Sequence, residues 1–330
     1  MTDFVFVVIT YNHQSYIIEH LESIKYQVEK YANGRLIKLI VSDDGSKDKT
    51  IQLVKFWLAS NSQLFSEVIV KSDGVNRGTC LNYTSTWEFI DSEFFKITAG
   101  DDVYSKTNIF EFAEGVSGVD ILSGAPLLLI DGVVVNDFSL NFHLFAGARI
   151  YRNNFLARLE GLSVINTPSL FFNRKIIQID GLVDFINQYK VVEDFPMQIK
   201  IGEAIPEVQF VQSTDVVVYY RRTSGSAYIV KNDLFSRDKK SLYEYLLSRK
   251  TGCLGRLLLR NRLFCFGVQN KLFRLVLNLN LIPYLLRLIP CFVHASQKAA
   301  GVSIGTHQEH YMLLKRRSDA VIELYENSLR

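Results

Sequence analysis

An unbroken run of β-branched and aromatic side chains at the start of the chain constrains the fold more than any other feature of the sequence. The run reads Phe-Val-Phe-Val-Val-Ile-Thr over residues 4–10. A strand whose successive side chains are all apolar is buried on both faces, as in a parallel sheet that helices cover on each side. We therefore predict that the chain opens with a buried strand of an α/β domain.

Strand-like and helix-like segments alternate through the first hundred residues. Helices are predicted from apolar spacing at 15–30, 48–59 and 81–90, and further strands at 36–42, 67–71 and 94–98. This alternation implies a mostly parallel sheet with right-handed crossover connections. Because ligands bind beyond the carboxyl ends of such strands, polar residues at strand ends are the candidate site residues.

Polar residues stand at the ends of three predicted strands, and together they form a constellation rather than an isolated motif. They are Thr10, Tyr11 and Asn12 after the first strand, Asp43 and Asp44 after the second, and Asp101 and Asp102 after the fourth. Asp43 and Asp44 offer acceptors for a nucleobase N–H and for ribose hydroxyls. Helix capping explains the polar residues over 46–50, but it does not explain these two carboxylates.

The Asp101-Asp102 pair follows Gly100, a residue that lets the backbone turn sharply. Adjacent ionised carboxylates repel each other unless a cation lies between or beside them. One or two carboxylates, with a diphosphate completing the coordination shell, suit Mg²⁺ or Mn²⁺. The alternative interpretation is a turn with two solvated acids.

The last third of the chain has an uneven charge distribution. Between Glu244 and Glu309 there is no Asp or Glu but there are nine basic residues, and because the formal net charge is +3 the rest of the chain sums to −6. Cations interleaved with Leu, Phe, Ile and Val are typical of helices that lie in a membrane interface against anionic headgroups. The longest uncharged run, 275–286, has 12 residues, whereas a spanning helix needs about 20. A solvated basic face is the alternative, and a nucleic-acid groove is disfavoured because the interleaved residues are more aliphatic than aromatic.

The remaining composition is that of a globular intracellular protein. Hydrophobic residues make up 48% and charged residues 22%, which allows a sizeable core and excludes disorder, collagen and coiled coil. The four cysteines form no Cys-x-x-Cys pair, so a reducing cytosol is predicted. The start of the chain carries Asp3 before the strand-like run and is not expected to be a signal peptide.

Two local features are expected further along the chain. Residues 127–135 are predicted to form a β-hairpin around Asp131-Gly132, because Asp-Gly favours a type I′ turn. Residues 167–172 are predicted to form an edge strand, with its aromatic side chains packed in the core.

In this order, these residues resemble the family 2 inverting glycosyltransferases, which have the GT-A fold. The resemblance rests on Val-Ile-Thr-Tyr-Asn at 8–12, Ile-Val-Ser-Asp-Asp-Gly-Ser-Lys-Asp-Lys-Thr at 40–50, Asn76-x-Gly78-x-x-x-Asn82, Gly-Asp-Asp-Val-Tyr at 100–104, Val-Glu-Asp at 192–194, and Tyr-Arg at 220–221 followed by Ser-Gly-Ser at 224–226. The string over 43–50 is the most specific of these. The resemblance implies an α/β GT-A catalytic domain over 1–226, with a mostly parallel sheet and flanking helices. A mainly helical, basic amphipathic region follows over 227–330 and is predicted to be a membrane-interface or dimerisation segment.

The resemblance also implies roles for the matching residues. A nucleotide-sugar donor, most often a UDP-sugar, is expected to contact Thr10, Tyr11, Asn12, Asp43, Asp44, Asn76, Gly78, Asp101 and Arg221. Asp101 and Asp102 are the expected ligands of Mn²⁺ or Mg²⁺. Asp194 is the expected catalytic base, and Glu193 is expected on the acceptor side. Helix capping remains the alternative for Glu193-Asp194, as does a salt bridge for Arg221.

The metal motif departs from the commonest form of the family, because Ala99 stands where another Asp is usual. The ribose contact of that Asp must then shift to Asp43, Asp44 or the backbone. A Gly-Asp-Asp variant is found among capsule and lipopolysaccharide enzymes of the family.

The leading hypothesis is an inverting glycosyltransferase of the capsule or lipopolysaccharide type. It would add a sugar to a glycan or polyprenyl-diphosphate-linked acceptor, working from the cytoplasm as a peripheral protein on the inner face of the cell membrane. No nucleic-acid partner is expected, and dimerisation through the membrane-facing helices is a further hypothesis. A sugar nucleotidyltransferase is disfavoured because residues 10–13 contain no Gly-rich, basic loop. A nucleotide-binding membrane scaffold is a third interpretation, since Ala99 weakens the metal motif.

Overall fold

The structure is a computed structural model that describes residues 2–114, 118–152, 154–222 and 233–330. Its strands are β1 (Phe4–Thr10), β2 (Ile37–Asp43), β3 (Glu67–Lys71), β4 (Phe94–Ala99), β5 (Val103–Tyr104), β6 (Ile121–Ile130), β7 (Val133–Val135), β8 (Leu170–Asn173) and β9 (Phe210–Arg221). Its helices are α1 (Ile17–Tyr31), α2 (Thr50–Asn61), α3 (Thr79–Thr84), α4 (Ile109–Glu114), α5 (Phe138–Ile150), α6 (Phe155–Glu160), α7 (Leu182–Ile186), α8 (Asp194–Ala204), α9 (Asp233–Arg249), α10 (Cys253–Gly267), α11 (Lys271–Val276), α12 (Leu281–Leu288), α13 (Phe292–Gly301) and α14 (His307–Ser328). The α/β class with flanking helices and a helical C-terminal region is confirmed.

The strands form one mixed sheet in the order β3-β2-β1-β4-β8-β6-β9-β5, with β7 paired to β6. The first four strands of the chain pair in parallel, as the alternating pattern predicts. Strand β8 runs antiparallel to both of its neighbours, β4 and β6. The prediction of an edge strand over 167–172 is therefore wrong: β8 lies inside the sheet, and the side chains of Phe171 and Phe172 are buried. The hairpin around Asp131-Gly132 is confirmed by the pairing of β6 with β7.

Strand β1 is buried on both faces, because its side chains alternate between two hydrophobic clusters. Val5, Val7 and Ile9 belong to the cluster on one face of the sheet. Phe4, Phe6 and Val8 belong to the cluster on the other face, with apolar residues of α1, α2 and α4. This alternation places β1 inside the sheet and holds its carboxyl end between those of β2 and β4.

The C-terminal helices pack against the first part of the chain. Tyr325 of α14 lies in the cluster that contains Phe4. Tyr311 and Leu314 of α14 share a third cluster with residues of β6, β9 and α5, and Ala295 and Ala299 of α13 join it. The boundary expected near residue 226 lies outside the described residues.

The described helices contain no segment that combines the length and the hydropathy required to cross a bilayer.

We expect Leu314→Ala to lower the free energy of unfolding by about 2–5 kcal/mol, the range typical of removing a fully buried leucine. The Leu314 side chain has no exposed surface, so its removal leaves a cavity between α14 and the sheet. Leu324→Ala on the same helix is the matched control, because Leu324 is 62% exposed and should change stability by no more than about 0.5 kcal/mol. Urea denaturation measures both variants. Equal, small effects would mean that α14 is not part of the core.

Candidate active site

The predicted strand ends meet at one edge of the sheet. Thr10 and Asp43 are paired at the ends of β1 and β2, and the backbone N–H of Asp44 donates to the carbonyl of Thr10 at 2.9 Å. The N–H of Gly100 donates to the carbonyl of Ile9, also at 2.9 Å. These bonds bring the first, second and fourth strand ends side by side, as expected for parallel neighbours.

A pocket of about 470 Å³ opens beyond β2 and β3 and contains Asp43 and Asp44 in its lining. The Asp44 carboxylate accepts the backbone N–H groups of Arg77 and Gly78 at 2.7 and 3.1 Å. Burial raises the pKa of Asp44 above its usual value, although these two bonds oppose the shift. Asp43 accepts the hydroxyl of Ser72 at 3.0 Å and that of Ser46. The pocket therefore has a fixed, acceptor-rich wall.

The loop over 75–78 lies directly against the turn after β2. Gly45 has φ +74°, and a Cβ there would lie 2.6 and 2.7 Å from the backbone of Val75 and Asn76. Gly78 has φ +94°, and a Cβ there would lie 2.7 Å from the carbonyl oxygen of Lys190. Both glycines are required because the backbones approach too closely for a side chain. Asn76 and Gly78 are chain neighbours of Val75 and Arg77, which line this pocket.

The residues after β1 are arranged around the same turn. The N–H of Asn12 donates to the Ser46 hydroxyl at 2.8 Å, and the Asn12 side-chain oxygen accepts the N–H of Lys47 at 2.8 Å. Asn12 has φ 55°, a conformation that asparagine tolerates better than most residues. Tyr11 is 44% exposed, whereas Thr10 is buried. Asn12 therefore ties the two strand ends together, and Tyr11 is free to contact a ligand.

A second cleft, of about 370 Å³, contains the remaining acidic residues. Asp102, Glu193 and Asp194 all line it, together with Ala99 from the end of β4. Helix α3 lies between the two cavities, since Asn82 lines the first and its neighbour Tyr83 lines the second. The fold thus brings the Asp-Asp turn and the Glu-Asp pair, 92 positions apart along the chain, to one cavity.

Arg221 holds the Asp101-Asp102 turn from β9. Its backbone N–H donates to the Asp102 carboxylate at 2.9 Å, and its side-chain Nε donates to the Asp101 carbonyl at 2.6 Å. Its guanidinium also forms a buried ion pair with Glu19 of α1. The side chain therefore makes the salt bridge that sequence analysis left as the alternative to a diphosphate contact. In this structure Arg221 positions the turn, and the residues 224–226 that follow it in the motif lie outside the described residues.

The chemistry of Asp101 and Asp102 fits a divalent cation. Burial and the adjacent Asp101 carboxylate raise the pKa of Asp102 well above its usual value, a shift that a bound cation would reverse. No group of three or more His, Cys, Asp or Glu side chains able to hold a metal occurs within the described ranges. In a typical Mg²⁺ site the protein supplies only one or two carboxylates, and phosphate and water oxygens supply the remaining ligands.

The two acids at the start of α8 differ in environment. Burial and the nearby Asp194 charge raise the pKa of Glu193 to about 8, so Glu193 carries a proton at neutral pH and is a poor base there. Asp194 accepts the Thr167 hydroxyl at 2.9 Å with one oxygen and the N–H of Phe195 at 2.7 Å with the other. Asp194 is the first residue of α8 and Glu193 is its N-cap, but Glu193 makes no side-chain capping hydrogen bond, so capping does not account for this pair.

Sequence analysis missed four residues: three that line these cavities, and Glu19, which pairs with Arg221. Ser72 and Asp73 follow β3 and line the first pocket, and the strand-end rule applied to β3 would have found them. Thr167 was assigned to a strand, but it contacts Asp194 instead. The sequence could not have predicted the role of Glu19, because the pattern of an amphipathic helix does not show which strand an acidic side chain on that helix will contact.

The raised pKa of Glu193 predicts a pH dependence of stability. The folded state retains a proton that the unfolded chain releases near its ordinary pKa of 4.5, so this stabilisation is complete below that pH and is lost as the pH rises to about 8. We expect the free energy of unfolding of the wild type, relative to Glu193→Gln, to decrease between these two pH values. Urea denaturation across this range measures the difference, and a difference that stays constant with pH would contradict the shift.

The first part of the chain is similar in sequence to known glycosyltransferases. Residues 5–154 match the glycosyl transferase family 2 profile. An uncharacterised glycosyltransferase of Mycoplasma genitalium, MG060, is 30% identical over 106 residues, which cover 32% of this chain and 34% of that protein.

Solved structures share the fold at low sequence identity. TarS of S. aureus has a TM-score of 0.56 at 16% identity, and the match covers 99% of this chain but 55% of TarS. TarS 1-349 in complex with UDP-GlcNAc has a TM-score of 0.54 at 15% identity, covering 99% of this chain and 92% of that one. The mannosyltransferase PcManGT from Pyrobaculum calidifontis, solved with GDP-Man and Mn²⁺, has a TM-score of 0.52 at 12% identity, covering 96% and 89%. Residues 5–154 are therefore similar to glycosyl transferase family 2, and the chain shares the GT-A fold of these glycosyltransferase structures.

Proposed function

We propose that the chain transfers a sugar from a nucleotide-sugar donor to a hydroxyl of a glycan acceptor, with inversion at the anomeric carbon. The observation that carries this proposal is the cleft that Asp102, Glu193 and Asp194 all line. It lies beside the pocket in which Asp43 and Asp44 provide hydrogen-bond acceptors. A nucleoside in the first pocket and its diphosphate at the Asp101-Asp102 turn would direct the sugar towards Asp194.

The mechanism is one in-line displacement. Asp194 takes the proton of the acceptor hydroxyl as that oxygen attacks the anomeric carbon, and the nucleoside diphosphate leaves from the opposite face of the sugar. Thr167 orients the Asp194 carboxylate through its hydroxyl, and Arg221 holds the turn that carries Asp101 and Asp102. A divalent cation bound by these two residues would stabilise the negative charge that develops on the leaving phosphate.

The donor is proposed to be a UDP-sugar. TarS 1-349 was solved with UDP-GlcNAc and PcManGT with GDP-Man and Mn²⁺, so donors of both nucleotide types occur on this fold. In this chain Asp43, Asp44 and Ser72 supply the acceptors and hydroxyl of the nucleoside pocket. Tyr11, the exposed residue after β1, is proposed to contact the donor from the other side.

The acceptor is proposed to be lipid-linked, with the enzyme bound to the inner face of the cell membrane during surface polysaccharide synthesis. The C-terminal helices support this, because they expose a stripe of apolar side chains in helical spacing at Ile282, Leu285, Leu286, Ile289 and Val293. These residues lie in the segment that has nine basic residues and no acid. Such a surface suits an anionic bilayer interface. A dimer formed through the same face is the competing explanation.

A catalytically weak nucleotide-binding scaffold is the second candidate function. Ala99 lines the cleft at the position where the family commonly has a carboxylate, and this observation favours it. A scaffold would tolerate the loss of Asp194, whereas a transferase would not.

Asp194→Asn should lower the turnover number by about 10²–10⁴-fold, because the base that takes the acceptor proton is lost. Donor affinity should be unchanged, since the nucleoside pocket is separate from α8. Asp184→Asn removes an exposed acid on the neighbouring helix α7 and should keep full activity. Donor consumption and isothermal titration measure the two quantities. Full activity of Asp194→Asn would refute the proposed mechanism and favour the scaffold.

A UDP-sugar with Mn²⁺ should stabilise the protein by about 2.7 kcal/mol at 100 times its dissociation constant, and EDTA should remove most of this gain. Asp101→Asn should show the same loss without EDTA, because it removes a proposed metal ligand. The turn itself should stay intact, since the backbone carbonyl of residue 101 that Arg221 binds is unchanged. Thermal unfolding with a panel of nucleotide sugars measures these shifts. An absence of any metal-dependent shift would contradict the proposed donor site.

A further inference from the structure

A third cavity, of about 270 Å³, lies between α9, α10 and α11, apart from both cavities of the candidate site. Three of its lining residues are cations: Arg262, Lys271 and Arg274. The other described residues of the lining are aromatic, apolar or uncharged, including Tyr243, Phe266 and Asn278, and none of them is a carboxylate. Its volume is about nine times the ~30 Å³ that a water molecule occupies in the liquid, which leaves room for a five-atom phosphate group.

The Arg262 side chain lines this cavity and is held in a fixed position. Its guanidinium donates to the carbonyl oxygens of Leu159 and Glu160 at the end of α6, at 2.9 and 2.7 Å. It also lies over the Tyr243 ring, 5.0 Å from the ring centre. These contacts hold its charge in place, and no acid in the described part of the chain forms an ion pair with it.

Lys271 and Arg274 are exposed at the mouth of the cavity. Neither takes part in any ion pair found between described residues. The sequence explains this, because the nearest acids along the chain are Glu244 and Glu309. Three cations around one cavity repel each other unless an anion lies between them.

The helix that carries the two exposed cations also exposes apolar side chains. On α11, Leu272, Phe273 and Val276 are 69%, 63% and 74% exposed. The connection after α11 is held in place by Asn261, whose side-chain oxygen accepts the N–H of Leu279 at 2.8 Å and whose amide donates to the carbonyl of Leu277 at 2.8 Å. A ligand that matches α11 must therefore combine an anionic group with an apolar part.

We propose that this cavity binds the phosphate headgroup of an anionic membrane lipid, with the exposed apolar residues of α11 inserted among the acyl chains. This proposal rests on the membrane contact in the proposed function and adds the site through which that contact selects its lipid. Arginine and lysine donate charge-assisted hydrogen bonds to phosphate oxygens, and the Asn278 amide is a further donor in the lining. An anion in the cavity would neutralise three cations that form no ion pair with any described residue.

The cavity is connected to the candidate site by aromatic packing. The Tyr243 ring, which lines the cavity, packs edge-on against Phe195 with 5.7 Å between ring centres. Phe195 directly follows Asp194 at the start of α8. A headgroup in this cavity would thus fix the membrane surface relative to the helix that carries the proposed base.

The test is co-sedimentation of the full chain with vesicles of phosphatidylcholine alone or mixed with phosphatidylglycerol. The wild type should bind only the mixed vesicles. Lys271→Gln/Arg274→Gln should weaken this partitioning about 30-fold, since each cation near an anionic surface contributes about fivefold. Arg256→Gln/Arg260→Gln removes the same charge from exposed positions on α10 outside the cavity and should have a smaller effect. Lys55→Gln/Arg152→Gln, far along the chain and also exposed, should have none.

The outcomes separate the headgroup site from the proposed function. Equal losses in the α10 and α11 variants would mean a diffuse basic face and would overturn the site while leaving membrane binding intact. A wild type that ignores both kinds of vesicle would refute the membrane contact itself. Thermal stabilisation by inorganic phosphate that Lys271→Gln/Arg274→Gln abolishes, without vesicle binding, would indicate a soluble phosphate ligand in this cavity and would also overturn the proposal. So would concentration-dependent dimerisation that the Lys271→Gln/Arg274→Gln variant abolishes.

Discussion

The buried ion pair between Arg221 and Glu19 is the interaction on which the site depends most. Both side chains are almost fully buried, at 7% and 3% exposure. A buried charge is tolerated only when it is paired and hydrogen-bonded, and removing one partner of such a pair typically costs about 3–5 kcal/mol. Because Arg221 also binds the carbonyl of Asp101 and, through its backbone, the carboxylate of Asp102, the geometry of the Asp-Asp turn depends on α1.

Two residues of the C-terminal helix α14 also contact Glu19 of this ion pair. The Tyr311 hydroxyl donates to Glu19 at 3.1 Å, and Lys315 forms an ion pair with it at 3.0 Å. Residues of α1, the β4–β5 turn, β9 and α14 thus share one buried polar network, which has to form as a unit because a partly satisfied network is costly. The tail that carries the proposed lipid surface is connected in this way to the strand end that carries the proposed metal ligands.

In the proposed function, one cavity binds the donor and the other carries out the chemistry. The backbone contacts at Gly45 and Gly78 are close, and they hold the loops of the proposed nucleoside pocket in place. In the second cleft, burial makes one acid of the Glu193-Asp194 pair hold its proton, while the other is oriented by Thr167. Neighbouring carboxyl groups in different environments can take different roles, which is a common basis for acid and base assignments.

Much of the fold could be predicted because local pattern and tertiary position agree in the first hundred residues. The apolar run of β1 predicts a strand buried on both faces, and Phe4–Thr10 is that strand. The strand-end rule located Thr10, Asp43 and Asp101 at one edge. The prediction placed β8 at the edge of the sheet because a four-residue strand with two phenylalanines has the same sequence pattern at an edge as in the middle. Which neighbour such a strand has depends on contacts with distant residues.

The sequence by itself determined the α/β class, the strand ends that bear carboxylates, and the separation of the basic, apolar tail from the acidic remainder. These properties follow from the order of residues over a few turns or strands, where side-chain periodicity acts directly on the backbone. Only the tertiary structure decided that Arg221 binds Glu19, that Thr167 contacts Asp194, and that Arg262, Lys271 and Arg274 surround one cavity. Those contacts join residues from different elements, and their partners depend on how the helices and strands pack.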